Sequence, residues 1–148
     1  MLPELIAAGI LLALCVVIHA TGLALILRHT RLHPPSARAR PGKIAWYIVR
    51  IGWWLAGLHL LQIALWAGYY RLQGCFPDFR TAVYFSGVSY STLGYGDVLL
   101  PPQWRMLGPS EGLTGILMCG LSTGLFFAIA HRILETRAES MTGGADSD

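Results

Sequence analysis

The chain has 148 residues, of which 54% are hydrophobic and only 13% charged, and its mean hydropathy is +0.52. A soluble domain carries about a quarter charged residues, so this composition excludes an ordinary soluble globule and points to a membrane protein. The net charge of +3 would also suit nucleic acid, but the positive residues cluster beside apolar runs, which is the pattern of membrane topology.

In chain order, the first apolar run is Leu5 to Leu27, long enough to cross a bilayer. Its leading residues, Met1-Leu2-Pro3-Glu4, are acidic rather than basic. The run is too long for the core of a secretory signal, and no small-x-small cleavage site follows it. Residues 1–27 therefore read as a retained span. A basic linker, 28–43, follows with Arg28, Arg31, Arg38, Arg40 and Lys43. Pro34, Pro35, Pro41 and Gly42 break any helix there.

The second run, Ile44 to Tyr70, spans with some tilt. Trp46 and Tyr47 at one end and Trp66, Tyr69 and Tyr70 at the other read as aromatic belts. Arg50 lies just inside and can snorkel to the near surface. His19, His59 and Gln62 are polar residues at membrane depth. They read as interhelical hydrogen-bonding groups, with a functional role as the alternative.

A polar break, Arg71 to Asp78, leads to Phe79–Tyr90, which is too short to cross and too apolar for a solvated loop. That length suggests a re-entrant helix, with Asp78 as its N-cap. The last run, Gly112 to Ala130, is just enough to span. The polar tail, 135–148, is expected to be disordered and cytoplasmic. Among the three cysteines, Cys15 and Cys119 read as small core residues. Cys75 reads as a free thiol and is the one candidate for a bridge.

Charge asymmetry orients these runs. Arg28, Arg31, Arg38, Arg40, Lys43, Arg50, Arg132 and Arg137 fall on one side, and Arg71, Arg80 and Arg105 on the other. The positive-inside rule then gives an outside N-terminus, three crossings and a cytoplasmic C-terminus, with the short helix entering from the outer face.

Between the short helix and the last span lies Ser91-Thr92-Leu93-Gly94-Tyr95-Gly96-Asp97. The stretch resembles the potassium-channel signature T-V-G-Y-G-D. By chance Gly-Tyr-Gly-Asp would occur in about one chain per thousand of this length. The physics calls for these residue types. A potassium ion entering a pore sheds its water, and backbone carbonyls must replace it. Gly94 and Gly96 tolerate the positive φ such a ladder requires.

The resemblance covers about Asp78 to Leu134 and extends to the small bacterial potassium channels with one pore loop. It implies an all-α membrane fold of three spans, a re-entrant pore helix (79–90) and a filter loop (92–97). The outer helix would be 44–70, the inner helix 112–134 and the pore domain 44–134. Potassium would bind at Thr92, Leu93, Gly94 and Tyr95, with Gly96 completing the ladder. Asp97, Tyr84, Phe85 and Val88 would support the filter.

Departures from the family pattern fall among these supports. Leu93 replaces the usual valine or isoleucine. Tyr84 and Phe85 stand where many members have paired tryptophans, and Val88 stands where some have a glutamate. Tyr84 can still bond Asp97, whereas Phe85 offers no polar group to the Tyr95 hydroxyl.

One filter strand cannot encircle an ion, so a homotetramer is expected. In the inner helix Gly120, Gly124 and Ala128 recur at four-residue spacing. Close helix packing and a gating hinge at Gly120 both explain them. Ser122 and Thr123 are candidate cavity residues, and His131 and Arg132 interface anchors.

The resulting expectation is a passive, potassium-selective channel subunit in a cell membrane, the inner membrane if the host is bacterial. It would need no cofactor, nucleic acid or small-molecule substrate, and would have lipid and three more copies as partners. The alternatives are a non-selective cation pore and a non-conducting modulatory subunit. An enzyme is not expected, because no nucleophile, phosphate loop or metal cluster is visible.

Overall fold

Four α-helices account for most of the chain in the computed structural model, which describes residues 2–33, 35–36 and 39–142. They are α1 (Leu2–Leu32), α2 (Pro41–Leu72), α3 (Phe79–Tyr90) and α4 (Leu107–Thr142), with a 3₁₀ turn at Pro102–Trp104 before α4. No strand occurs among the described residues. Pro34 and Arg38 of the linker and residues 143–148 of the tail lie outside the described residues.

Helices α1, α2 and α4 are each long and apolar enough to cross a membrane. At 31, 32 and 36 residues they exceed the ~20 that a hydrocarbon core requires, so their ends project beyond it. α1 and α4 run in one direction and α2 returns between them. One end of the bundle carries the loops 73–78 and 91–106, and is called the loop end below. The other carries the basic linker and the end of α4, and is called the basic end.

Local sequence explains the boundaries. Pro41 opens α2, where a missing N–H costs nothing. Gly74 closes it at φ +67°, with Gly74 N–H bonded to Arg71 O and Cys75 N–H to Tyr70 O. That paired pattern is a Schellman motif. Asp78 caps α3, accepting from the Thr81 N–H at 2.8 Å and from its hydroxyl at 2.9 Å.

Four expectations need correction. α1 continues past Leu27 to Leu32, and α2 begins at Pro41, so the non-helical linker is shorter than 28–43. Nothing in Arg28 to Leu32 breaks a helix. α4 likewise continues to Thr142 through the segment expected to be disordered. Residues 131–142 contain neither glycine nor proline, and His131 pairs with Glu135 one turn on. Trp66 and Tyr70 do not form an outer belt. Both are fully buried, because their i, i+4 face turns into the bundle. Cys119 is exposed on α4 rather than in the core, while Cys15 is buried; all three cysteines are free.

The interior has three layers along the bundle axis. An apolar cluster at the loop end joins Leu11, Trp66, Tyr70, Phe76, Phe85 and Leu107. A second at the basic end joins Ile26, Tyr47, Ile51, Leu55 and Ile129. Between them lies a polar layer that includes the end of α3.

Candidate functional site

The short helix α3 is gripped at several heights, and the loop after it takes its shape from that grip. At the loop end Glu111 of α4 is fully buried and accepts from the Tyr70 hydroxyl of α2 at 2.7 Å and from the Ser86 hydroxyl of α3. Ser86 also lies 2.9 Å from the Ile63 carbonyl. A buried carboxyl is tolerated only with such partners. This node therefore ties α2, α3 and α4 together.

Deeper in, a ring of five side chains draws on all four helices. Gln62 Nε2 lies 2.8 Å from His19 Nδ1, and the Tyr90 hydroxyl donates to Gln62 Oε1 at 2.6 Å. His59 Nδ1 lies 2.9 Å from the Tyr90 oxygen and its Nε2 3.0 Å from Ser122 Oγ. Ser122 Oγ lies 3.0 Å from His19 Nε2, which closes the ring. Tyr90 is the last residue of α3, so the ring fixes the point where the following loop starts. The three polar residues expected at membrane depth all belong to it. Ser122 is buried in the ring and does not face a cavity, unlike the expectation for it.

The glycines of α4 allow this approach. A methyl group added at Gly115 would sit 1.9 Å from the Tyr90 carbonyl oxygen, and one at Gly112 would sit 3.3 Å from that of Ser89. By contrast, a methyl at Gly120 or Gly124 would meet nothing within 4 Å. Those two glycines make no close helix packing within the chain.

After Tyr90 the backbone turns back on α3. Ser91 N–H bonds Gly87 O, Thr92 N–H bonds Ser89 O, and the N–H groups of Leu93 and Gly94 both reach Val88 O. This is the place of Val88 in the site: its carbonyl, not its side chain, anchors the loop. Thr92, Gly94 and Gly96 have φ of +62°, +58° and +75°, while Leu93 and Tyr95 do not share that sign. In an ordinary strand successive peptide groups alternate in direction. Alternating the sign of φ can cancel that alternation, turning N–H groups toward one edge and carbonyls toward the other. Thr92 is the costly member, because a β-branched residue at positive φ is a genuine outlier, with strain of about 1–3 kcal/mol. Among the described residues, the carbonyls of Thr92 to Gly96 accept no hydrogen bond. Leu93 and Tyr95 are 58% and 66% exposed.

At the outer end of the loop, the Tyr84 hydroxyl donates to Asp97 Oδ2 at 2.6 Å. That bond to a carboxylate pushes the Tyr84 phenol above its ordinary pKa. Asp78 shifts the other way, since the Thr81 N–H and hydroxyl hold its carboxyl below the usual value. Phe85 is buried edge-on to Tyr70, with ring centres 5.4 Å apart, and beside Phe76. Its phenyl ring offers no hydrogen-bonding group to the Tyr95 hydroxyl.

The sequence pointed to Tyr84, Asp97 and the glycines of the loop. It did not single out Glu111, Ser86 or Gly115. An acidic residue at the edge of an apolar run was the available signal for Glu111. No group of three or more His, Cys, Asp or Glu side chains able to hold a metal occurs among the described residues.

A family model described as an ion channel matches residues 56–132, a little over half the chain, from mid-α2 to the last turns of the α4 span. Neither a curated protein nor a solved structure matches. A matched segment that holds the short helix, its loop and the two flanking spans makes this chain a multi-pass membrane protein of the small pore-loop ion channel family, a kind of protein that is not an enzyme.

Proposed function

We propose that four copies of the chain surround one axis and conduct potassium ions passively through the loop 92–97. The carrying observation is the alternating φ along Thr92, Leu93, Gly94, Tyr95 and Gly96, with carbonyls that no donor among the described residues occupies. Such oxygens can replace the water of a dehydrated cation. α3 aims its C-terminal end toward the start of the loop, and the partial negative charge there favours cations. A single loop covers only one side of an ion. The exposure of Leu93 and Tyr95 is consistent with neighbouring copies packing against them.

In this reading 44–134 is the pore domain, α3 re-enters from the outer face, and the basic end lies in the cytoplasm. Residues 1–27 lie in an additional span, α1, that reaches α3 indirectly, through the bond of His19 to Gln62 and of Gln62 to Tyr90. The permeant ion is the ligand, and no cofactor takes part. Gly120, unencumbered on α4, is the proposed hinge of a gate.

The test is flux from liposomes holding a potassium gradient. Wild-type protein should give a barium-blockable flux, and Gly96→Ala should abolish it. An L-residue pays about 1–2 kcal/mol in the left-handed region, enough to turn the Gly96 peptide. No flux from folded tetramers would count decisively against the proposal.

A second reading is a non-selective cation pore, favoured by Phe85, which is buried against Tyr70 and Phe76 and offers no hydrogen-bonding group to the Tyr95 hydroxyl. Bi-ionic reversal potentials separate the two, since equal sodium and potassium permeability would establish the second.

A further inference from the structure

At the basic end, α1, α2 and α4 do not close fully on one another. They leave a cavity of about 340 Å³, within the size range of ligand sites. Its lining is divided by chemistry. Arg31 of α1 and Arg132 of α4 contribute two guanidinium groups, and among the described residues no acidic side chain lines it. Ile44 of α2 and Ile133 of α4 belong to its apolar wall.

Tyr47 adds an independent observation. It lines the same cavity, is only 8% exposed, and its hydroxyl finds no hydrogen-bond partner among the described residues. A buried hydroxyl without a partner is costly, and it is rare in folded proteins. Its ring is already engaged, with Arg50 Cζ 5.4 Å from the centroid. The donor that remains is the O–H, beside a cavity that arginines make attractive to an oxyanion.

We propose that this cavity binds the phosphate of an anionic phospholipid, with the root of its acyl chains on the apolar wall. Guanidinium groups suit phosphate because their planar forks donate paired hydrogen bonds. The Tyr47 hydroxyl supplies one more donor. Placement favours a lipid over free phosphate. The cavity lies where three membrane-crossing helices reach their basic ends, which is the level of the headgroups, and half its wall is apolar. A bound headgroup would tie the end of α1 and the start of α2 to the cytoplasmic part of α4. The proposal needs only a membrane-embedded chain and is independent of which ion passes.

Native mass spectrometry and thermal melts of the full chain in detergent test it. The probes are phosphatidylglycerol, phosphatidylcholine and inorganic phosphate. Wild-type protein should retain phosphatidylglycerol in preference to phosphatidylcholine and should melt higher with it. Arg31→Gln combined with Arg132→Gln should weaken phosphatidylglycerol binding on the order of tenfold. Tyr47→Phe should weaken it about threefold, yet leave the lipid-free melt unchanged, because the lost hydroxyl had no protein partner. Retention of phosphatidylglycerol at wild-type strength by both variants would overturn the site. Stabilisation by inorganic phosphate equal to that by the lipid would overturn the lipid assignment.

Discussion

Asp97 is held from another element by one hydrogen bond. Tyr84 sits on α3, is 43% exposed, and contributes little apolar burial; its hydroxyl on Asp97 is its main contact with the loop. Tyr84→Phe keeps the ring and removes only that donor. If the bond braces the outer end of the filter, potassium-over-sodium permeability should fall by about threefold, the effect expected of one exposed hydrogen bond. The melting temperature should scarcely move. Bi-ionic reversal potentials on reconstituted protein measure the ratio, and a value identical to wild type would show that Asp97 is positioned by something else. Thr92 presents the opposite case. Its positive φ comes with one local bond, from its N–H to Ser89 O, and in the proposed reading the direction it gives its carbonyl accounts for the strain.

At the scale of elements, α3 is a helix that local capping starts and distant side chains place. Asp78 and the Thr81 N–H define its first turn, but its depth is set by Glu111 and by the ring through Tyr90. Tyr90→Phe would leave Gln62 Oε1 and His59 Nδ1 without their hydroxyl partner inside the bundle. Each stranded buried group costs about 1–3 kcal/mol, so the helical melt in detergent should shift clearly downward. Combining it with Ser122→Ala should be less than additive, because both changes open the same ring. Full additivity, or an unmoved melt, would mean that water already serves these groups.

The ring also marks how far sequence reasoning reaches. The long apolar runs, the cap at Asp78 and the glycines of the loop are local signals, and each was legible. His19, His59 and Gln62 were legible as polar groups needing partners, but their partners were not. Gln62 and His19 are 43 positions apart and Ser122 and His19 are 103 apart, so only the packing of four helices brings them together. Gly115 was illegible for the same reason. A glycine among apolar residues carries no sign that a carbonyl of another helix lies against it. Trp66 and Tyr70 were misread because an aromatic at a span end serves a belt or a core equally well, and only the facing of the helix decides.

At the scale of the whole molecule the question is how many chains make one conduit. A single chain leaves Leu93, Tyr95 and Leu99 exposed on a loop whose carbonyls from Thr92 to Gly96 accept no hydrogen bond among the described residues. The α4 face carrying Leu113, Ile116 and Leu117 is exposed as well. In the proposed tetramer, closed rotational symmetry would resolve both features at once, because each copy would cover its neighbour and all four loops would meet on the axis. Stoichiometry makes this measurable without imaging the ring. Co-reconstitution of equal amounts of wild-type and Gly96→Ala chains, mixed before assembly, produces tetramers of random composition. If one distorted loop blocks the axis, about one-sixteenth of the wild-type flux should remain, since only all-wild-type rings of four conduct. A pore formed within each chain would retain about half. A flux near one half would therefore remove the shared axis, and with it the explanation of why an apolar loop lies exposed beside a row of unpaired carbonyls.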